Sequence, residues 1–129
     1  MFVVNTGRIG QQYADGLDVT MKSGTGIGVL LAPTKEMVYG YRASTGDQRF
    51  AGKYAALSEE AYTEQYLTLL RDRFSTNREA FHQLVQRESI TLQCYCGRGK
   101  FCHRRILAEY VLPKLAAYYG IEYQYTGEQ

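Results

Sequence analysis

The chain has 129 residues, of which 45% are hydrophobic and 22% are charged, and these values are typical of one globular domain with its own hydrophobic core. The formal net charge of +2 is too small to indicate nucleic-acid binding by itself, and it does not exclude such binding. No signal peptide is recognisable, and the longest apolar run is far shorter than the about 20 residues that span a bilayer. We therefore expect a soluble, cytoplasmic protein with no membrane partner and with a single domain over residues 1–129.

Short apolar runs separated by loops characterise the N-terminal part of the chain. Residues 2–5 predict a buried strand, residues 17–20 predict a brief second strand, and residues 29–31 predict a further strand after a glycine-rich turn. Residues 35–41 follow a proline and a threonine and predict a short helix. Residues 43–52 are rich in Gly, Ser, Thr and Asp, so we interpret them as an exposed loop that serves as a flexible lid or an insertion.

Two helices are predicted in the middle of the chain. Ser58 is a suitable N-cap and the two glutamates after it complement the helix dipole, so a helix begins there and continues to Phe74. Polar residues at 75–77 interrupt the pattern. Apolar residues with helical spacing within 81–85 then predict a second amphipathic helix.

Strands and a long helix are predicted in the C-terminal part. Residues 89–95 alternate and are rich in β-forming residues, and residues 121–125 alternate in the same way. Residues 106–118 predict an amphipathic helix that Pro113 kinks or splits. Strands that alternate with helices indicate an α/β domain in which helices flank a mostly parallel sheet, with Rossmann-like layering. Ligands of such sheets bind beyond the carboxyl ends of the strands.

All 3 cysteines lie within one segment, CYCGRGKFCHRR, at residues 94–105. An odd number of cysteines in one short window does not suggest a disulfide framework and indicates metal binding or thiol chemistry instead. The segment lies where a predicted strand passes into a predicted helix. Cys94 and Cys96 would share one face of the strand end, and the amides at the start of the helix would favour an anion.

The first interpretation of this segment is a catalytic, anion-binding loop. Loop amides and basic side chains would hold a phosphate or a carboxylate, because guanidinium groups pair bidentately with oxyanions. Cys102 or His103 would act as the nucleophile or as the acid or base, and nearby positive charge would lower the pKa of a thiol there. The segment is neither a P-loop nor a phosphatase loop, because both need residues that are absent at the required spacing. The candidate ligand-binding residues of the segment are Cys96, Arg98, Lys100 and Arg104.

Two other interpretations of the segment remain open. Cys94, Cys96, Cys102 and His103 form a complete tetrahedral ligand set for zinc, although adjacent Cys and His are awkward ligands for one metal. The cysteines can also be buried packing residues, and this interpretation suits Cys94 best. Packing alone does not explain the whole segment, because burial of Cys, His and Arg together needs specific partners.

The segment resembles the signature of the 488 family of domains of unknown function and its short bacterial and phage relatives. The resemblance rests on Cys-Tyr-Cys-x-x-Gly-x-Phe-Cys-His-Arg with the following Ile-Leu-Ala-Glu, and it extends to residues 6–10, 17–24, 32–34 and 125–128. Gly7 is a departure, because relatives often carry Ala or Ser there. The resemblance implies an α/β fold and a pocket shared with the N-terminal matched segments. From those segments it implies that Asp18 is a general base or binds a ribose hydroxyl, and that the ligand-binding residues are Arg8, Thr20, Lys22 and Ser23.

Our leading hypothesis is a small domain that binds, and as a hydrolase or transferase processes, a phosphorylated nucleotide-like ligand or a nucleic acid. One of the 12 tyrosines would stack on a base. This hypothesis requires no cofactor. The alternatives are a non-catalytic protein that binds or sequesters the ligand, in the phage–host conflict that phage relatives suggest, and a zinc-binding domain. An oligomer is compatible with each of them.

Overall fold

Four strands form one sheet in the computed structural model, which describes residues 1–24, 26–95 and 101–128. The strands are β1 (Phe2–Arg8), β2 (Gly16–Asp18), β3 (Ser89–Cys94) and β4 (Tyr123–Glu128). Their order in the sheet is β2-β3-β1-β4, and every neighbouring pair is parallel. The expected α/β fold with a mostly parallel sheet is therefore confirmed.

The helices follow the predicted order with one exception. They are α1 (Ile27–Leu31), α2 (Lys35–Ser44), α3 (Glu59–Thr76), α4 (Arg78–Val85), α5 (His103–Ile106) and α6 (Leu112–Tyr118). Thr34 and Ser58 cap α2 and α3, because their side chains accept hydrogen bonds from backbone N–H groups in the first turn. The strand prediction at residues 29–31 is wrong, because these residues belong to α1. An apolar run this short fits either a strand or a buried helical turn.

A π-helical turn, Leu107–Val111, joins α5 and α6 into one helical segment, so Pro113 does not split the helix. Proline cannot donate an N–H to the preceding turn, and π-helical turns accommodate such an irregularity. Gly120 ends the segment with a φ of 69°, a left-handed conformation that suits glycine at a helix C-terminus. None of the helices in the described ranges is long and apolar enough to cross a membrane.

The segment predicted as a loop at residues 43–52 begins with the last two residues of α2 and continues as turns. Phe50 stacks on Tyr39 of α2, with ring centroids 4.3 Å apart, and Tyr54 packs edge-on against the same ring. Asp47 and Arg49 form an ion pair within the turns. Phe50 thus packs this largely exposed segment onto α2.

The sheet register places the carboxyl ends of three strands side by side, at one edge of the sheet. Arg8 at the end of β1 pairs with Cys94 at the end of β3, and Asp18 at the end of β2 pairs with Gln93. Helix α1 packs closely against this edge, because a Cβ on Gly28 would lie 2.0 Å from the carbonyl oxygen of Asp18. Only glycine allows so close an approach of two backbones. The edge is the carboxyl end of the sheet, where α/β domains bind their ligands.

Candidate active site

Cys102 and His103 form the centre of the candidate site. Cys102 is the residue that precedes α5, has extended backbone geometry, and is only 3% exposed. Its Sγ lies 3.7 Å from Nδ1 of His103 and 3.1 Å from Sγ of Cys94. A thiol and an imidazole nitrogen in contact are the minimum arrangement for a proton transfer that activates a cysteine.

The backbone of Val19 determines which nitrogen of His103 is free. Nε2 of His103 lies 2.7 Å from the carbonyl oxygen of Val19, and a carbonyl can only accept, so Nε2 carries the proton of the neutral ring. Nδ1 is then the unprotonated nitrogen, and it faces Cys102. The ring of Tyr66 packs edge-on against the imidazole at 5.7 Å. In the neutral ring, a nitrogen that can accept a proton therefore faces the thiol.

Asp18 fixes the turn that carries the Val19 carbonyl. Its carboxylate accepts hydrogen bonds from the Thr20 backbone at 2.8 Å, from the Thr20 hydroxyl at 2.7 Å, and from the Ser23 hydroxyl at 2.5 Å. Partial burial raises the pKa of Asp18, but the hydrogen bonds from Ser23 and Thr20, with the nearby His103, outweigh it and hold the pKa below its ordinary value. These bonds hold residues 18–23 together, and Val19 of this turn supplies the carbonyl that contacts His103.

The lowered pKa of Asp18 predicts an acid-sensitive fold. The unfolded chain binds more protons in acid than the folded chain, so the Asp18 contribution to stability is complete above the ordinary pKa of 3.8 and is lost as the pH falls through the lower folded value. We expect Asp18→Asn to melt at a lower temperature at pH 7 and to lose less further stability on acidification. Thermal unfolding measured between pH 7 and pH 3 tests this, and parallel losses in the variant and the wild type would contradict it.

A cavity of about 400 Å³ opens beside Cys102 and His103. Thr20, Met21 and Lys22, in the loop after β2, line the cavity, and so do Cys94 and Tyr95 at the end of β3. The other lining residues are Pro33, Val38, Tyr41, Arg42, Tyr62 and Phe101. Small-molecule sites are typically concave, largely apolar and equipped with a few convergent polar groups, and this cavity has these properties.

Aromatic rings form the apolar wall of the cavity. Phe101 packs against Tyr41 with ring centroids 4.9 Å apart and against Tyr62 at 5.2 Å. Lys22 and Arg42 are the two cationic residues of the lining, and no carboxylate lines the cavity within residues 1–24, 26–95 and 101–128. The cavity therefore combines flat apolar surfaces with positive charge.

Arg104 lies inside the protein and does not line this cavity. Its side chain is 0% exposed, and Nη1 donates to the carbonyl oxygens of Gly7 at 3.0 Å and Cys94 at 3.4 Å. These carbonyls lie at the ends of β1 and β3. Arg104 thus joins α5 to the sheet edge. The hypothesis that Arg104 holds an anion stays a prediction.

The structure brings together some of the predicted site residues and separates others. Thr20, Lys22, Cys102 and His103 line the cavity, whereas Asp18 and Ser23 do not. The Ser23 hydroxyl lies 3.3 Å from the hydroxyl of Tyr95, which is a lining residue. Arg8 is exposed at the end of β1 and does not line the cavity. Cys96, Arg98 and Lys100 lie outside the described residues. Catalytic and ligand-binding roles for all of these residues stay predictions.

A potential metal site overlaps the same centre. The ligand atoms of Cys94, Cys102 and His103 all lie within 4.8 Å of one another, and all three residues are buried. The bond from Nε2 of His103 to Val19 is the kind of outer contact that orients metal-binding histidines. These three residues would therefore suit zinc, which binds thiolate and imidazole ligands. Cys96, the fourth predicted ligand, lies beyond the described ranges.

Eight residues of the cavity lining were not predicted as site residues, and four of these, Tyr41, Arg42, Tyr62 and Phe101, supply aromatic surface and one cation. Tyr41 and Arg42 come from α2, Tyr62 comes from α3, and Phe101 belongs to the Cys-His-Arg segment. In the sequence, the two helical tyrosines have only the spacing of ordinary core residues. Phe101 was the one with a usable signal, because it lies directly before Cys102 in the segment that resembles the 488 family.

Comparison with known proteins identifies the family. The sequence model described as the Active DUF488-N3 subclade matches residues 28–115, which include α2 to α5, all but the first residue of α1, and the Cys-His-Arg segment. No curated protein and no solved structure gave a significant match to the chain. The family model spans more than half of the chain, so this protein belongs to the DUF488 family, as the resemblance of its Cys-His-Arg segment implied.

Proposed function

We propose that this DUF488 protein is a cysteine-dependent enzyme that hydrolyses or transfers a group on a flat, negatively charged, nucleotide-like ligand. The observation that carries the proposal is the contact between Cys102 and His103, at 3.7 Å, on the wall of the aromatic cavity. The description of the matching subclade as active supports a catalytic role. The cavity supplies the binding surface, and the Cys-His pair supplies the chemistry.

The reaction begins with proton transfer from the thiol of Cys102 to Nδ1 of His103. The resulting thiolate attacks the electrophilic atom of the ligand, a carbon or phosphorus, and the bond to the leaving group breaks as the S–ligand bond forms. The imidazolium returns its proton to the leaving group. Water or a second substrate then displaces the sulfur and gives up a proton to His103, which restores the thiolate and the protonated base. The Val19 carbonyl stabilises the imidazolium by accepting from Nε2.

The ligand class follows from the cavity lining. Tyr41, Tyr62 and Phe101 offer aromatic surface to a planar ring such as a nucleobase. Lys22 and Arg42 offer two cations to a phosphate, and guanidinium groups are suited to phosphate because they donate two parallel hydrogen bonds. An apolar wall and a cationic rim match a molecule that has one planar part and one anionic part.

Binding of ribonucleoside 5′-monophosphates, compared with the corresponding nucleosides, tests the ligand class. We expect the phosphates to bind more tightly, and we expect Arg42→Gln to weaken phosphate binding by about tenfold, the effect of losing one charge-assisted contact. Arg87→Gln is the matched control, because Arg87 is exposed and does not line the cavity. Isothermal titration calorimetry gives both affinities. Equal affinities for nucleosides and phosphates, or an equal effect of both variants, would contradict the proposal.

A zinc-dependent enzyme is the second candidate, because Cys94 and His103 approach Cys102 closely enough to share a metal. Zinc held by these three residues would supply an activated water at its open position. Metal analysis of protein purified without chelators separates the candidates. Stoichiometric zinc that disappears in Cys94→Ala supports the metal, and protein that turns over ligand without zinc supports the thiol.

A further inference from the structure

A groove separate from the active-site cavity runs between α3, α4 and the C-terminal helical segment. We call it the basic groove. Its volume is about 470 Å³, and none of its lining residues belongs to the active-site cavity. The floor and walls are apolar and include Leu70, Phe74, Phe81, Val111 and Leu115. Helices that pack side by side leave such a valley, into which the ridge of another helix fits.

Three cations surround this apolar floor. Arg71 and Arg78 come from α3 and α4, and Lys114 comes from α6. All three residues are exposed. No acidic residue lines the basic groove, and no ion pair neutralises these cations, within the part of the chain that the structure describes. The groove is therefore complementary to a surface that is apolar in its centre and acidic at its edges.

The contacts of the aromatic residues that line the groove favour a protein partner over a nucleic acid. Lys114 Nζ lies 3.9 Å from the ring centroid of Tyr110, and the Arg78 guanidinium lies 5.2 Å from that of Phe74. Phe74 also stacks on Phe81, with ring centroids 5.6 Å apart. Single-stranded nucleic acids bind by stacking bases on open aromatic faces, and here faces of Tyr110 and Phe74 are already covered.

We propose that the basic groove is a docking site for an acidic, amphipathic helix of a partner protein. Tyr110 is 49% exposed and Tyr118 is 65% exposed, and large amphipathic rings at the border of a groove are typical of interface anchors. The π-helical turn contributes Tyr110 and Val111 to the groove, and such turns are frequent at functional sites. Apolar side chains of the partner helix enter the groove, and its carboxylates pair with the cations.

The test uses the full chain and three fluorescent probes. The first is a synthetic helical peptide with leucines along one face and glutamates elsewhere. The second is a scrambled peptide of the same composition, and the third is an oligothymidylate of similar length. We expect the amphipathic peptide to bind most tightly in fluorescence anisotropy. Hydrogen exchange should slow at residues 67–81 and 110–118 when that peptide binds, which locates it independently of any variant.

Charge reversal at the groove provides the matched variants. We expect Arg71→Glu combined with Lys114→Glu to weaken peptide binding by about tenfold or more, whereas Arg87→Glu, on exposed surface outside the groove, changes it less than twofold. Circular dichroism checks that each variant is folded. The proposal is overturned if no peptide binds, if the scrambled peptide binds equally, or if the oligothymidylate binds more tightly. It is also overturned if sedimentation shows a dimer that the groove variant dissociates, because a second copy is then the occupant.

Discussion

Replacement of Cys102 with alanine is expected to lower turnover of the nucleotide-like ligand by at least about a thousandfold, since loss of a catalytic nucleophile has effects of this size or larger. Ligand affinity should change little, because the aromatic wall and the cations of the cavity do not depend on the thiol. Cys102 lines the cavity, and its Sγ lies 3.7 Å from Nδ1 of His103, so its thiol stands beside a base. Chromatographic measurement of product formation, with calorimetry for affinity, gives both quantities.

Cys94→Ala is the matched control for this prediction. Cys94 is also buried, also lines the cavity, and lies 3.1 Å from Cys102. The two substitutions remove the same atom from neighbouring positions, so general damage to the cavity would affect both variants. If Cys102 alone is the nucleophile, we expect Cys94→Ala to keep turnover within about tenfold of the wild type.

Other outcomes distinguish the alternatives. Equal loss of turnover in both cysteine variants, together with loss of bound zinc, would replace the thiol by the metal candidate, because both cysteines are then ligands. A wild-type protein that binds nucleotides but returns all of them unchanged would be a non-catalytic binding or sequestering protein. Each result therefore assigns the Cys-His pair a different role.

Local signals explain how much of the fold could be predicted from the sequence. The N-caps of α2 and α3 and the alternation in β3 depend on adjacent residues, and all three elements were predicted. The helix at Ile27–Leu31 was missed because its hydrophobic pattern is too short to define a period. The order of the strands could not be predicted from the sequence, because the pairing of β1 with both β3 and β4 joins residues from distant parts of the chain.

In the candidate site, too, features that depend on adjacent residues were predictable and features that depend on distant residues were not. Cys102 and His103 are adjacent in sequence, so their proximity was predictable, and the structure adds which nitrogen of His103 faces the thiol. That detail depends on Val19, a residue of the loop after β2, whose carbonyl has no sequence signature. Arg42 reaches the cavity only because α2 packs beside it. Residues that become partners through packing are not visible in a single sequence.

Replacement of Arg104 with methionine is expected to destabilise the protein by about 3 kcal/mol, because hydrogen bonds from a charged donor contribute about 1.5–3 kcal/mol each and methionine cannot donate to these buried carbonyls. The carbonyls concerned belong to Gly7 and Cys94, at the ends of two neighbouring strands. Methionine is apolar and of similar length, so it fills much of the space without donating. Urea denaturation followed by circular dichroism measures the free energy of unfolding.

Arg105→Met is the control, because it makes the same change at the adjacent position. The Arg105 side chain is 42% exposed and pairs with Glu109, one turn along the helix, at 3.3 Å, a type of surface pair that contributes only about 0.3–0.5 kcal/mol. We expect the two variants to differ in stability by more than about 2 kcal/mol. If Arg104→Met instead unfolds like the wild type and loses nucleotide binding, Arg104 acts as an anion ligand, and its buried contacts with the strand ends contribute little to stability.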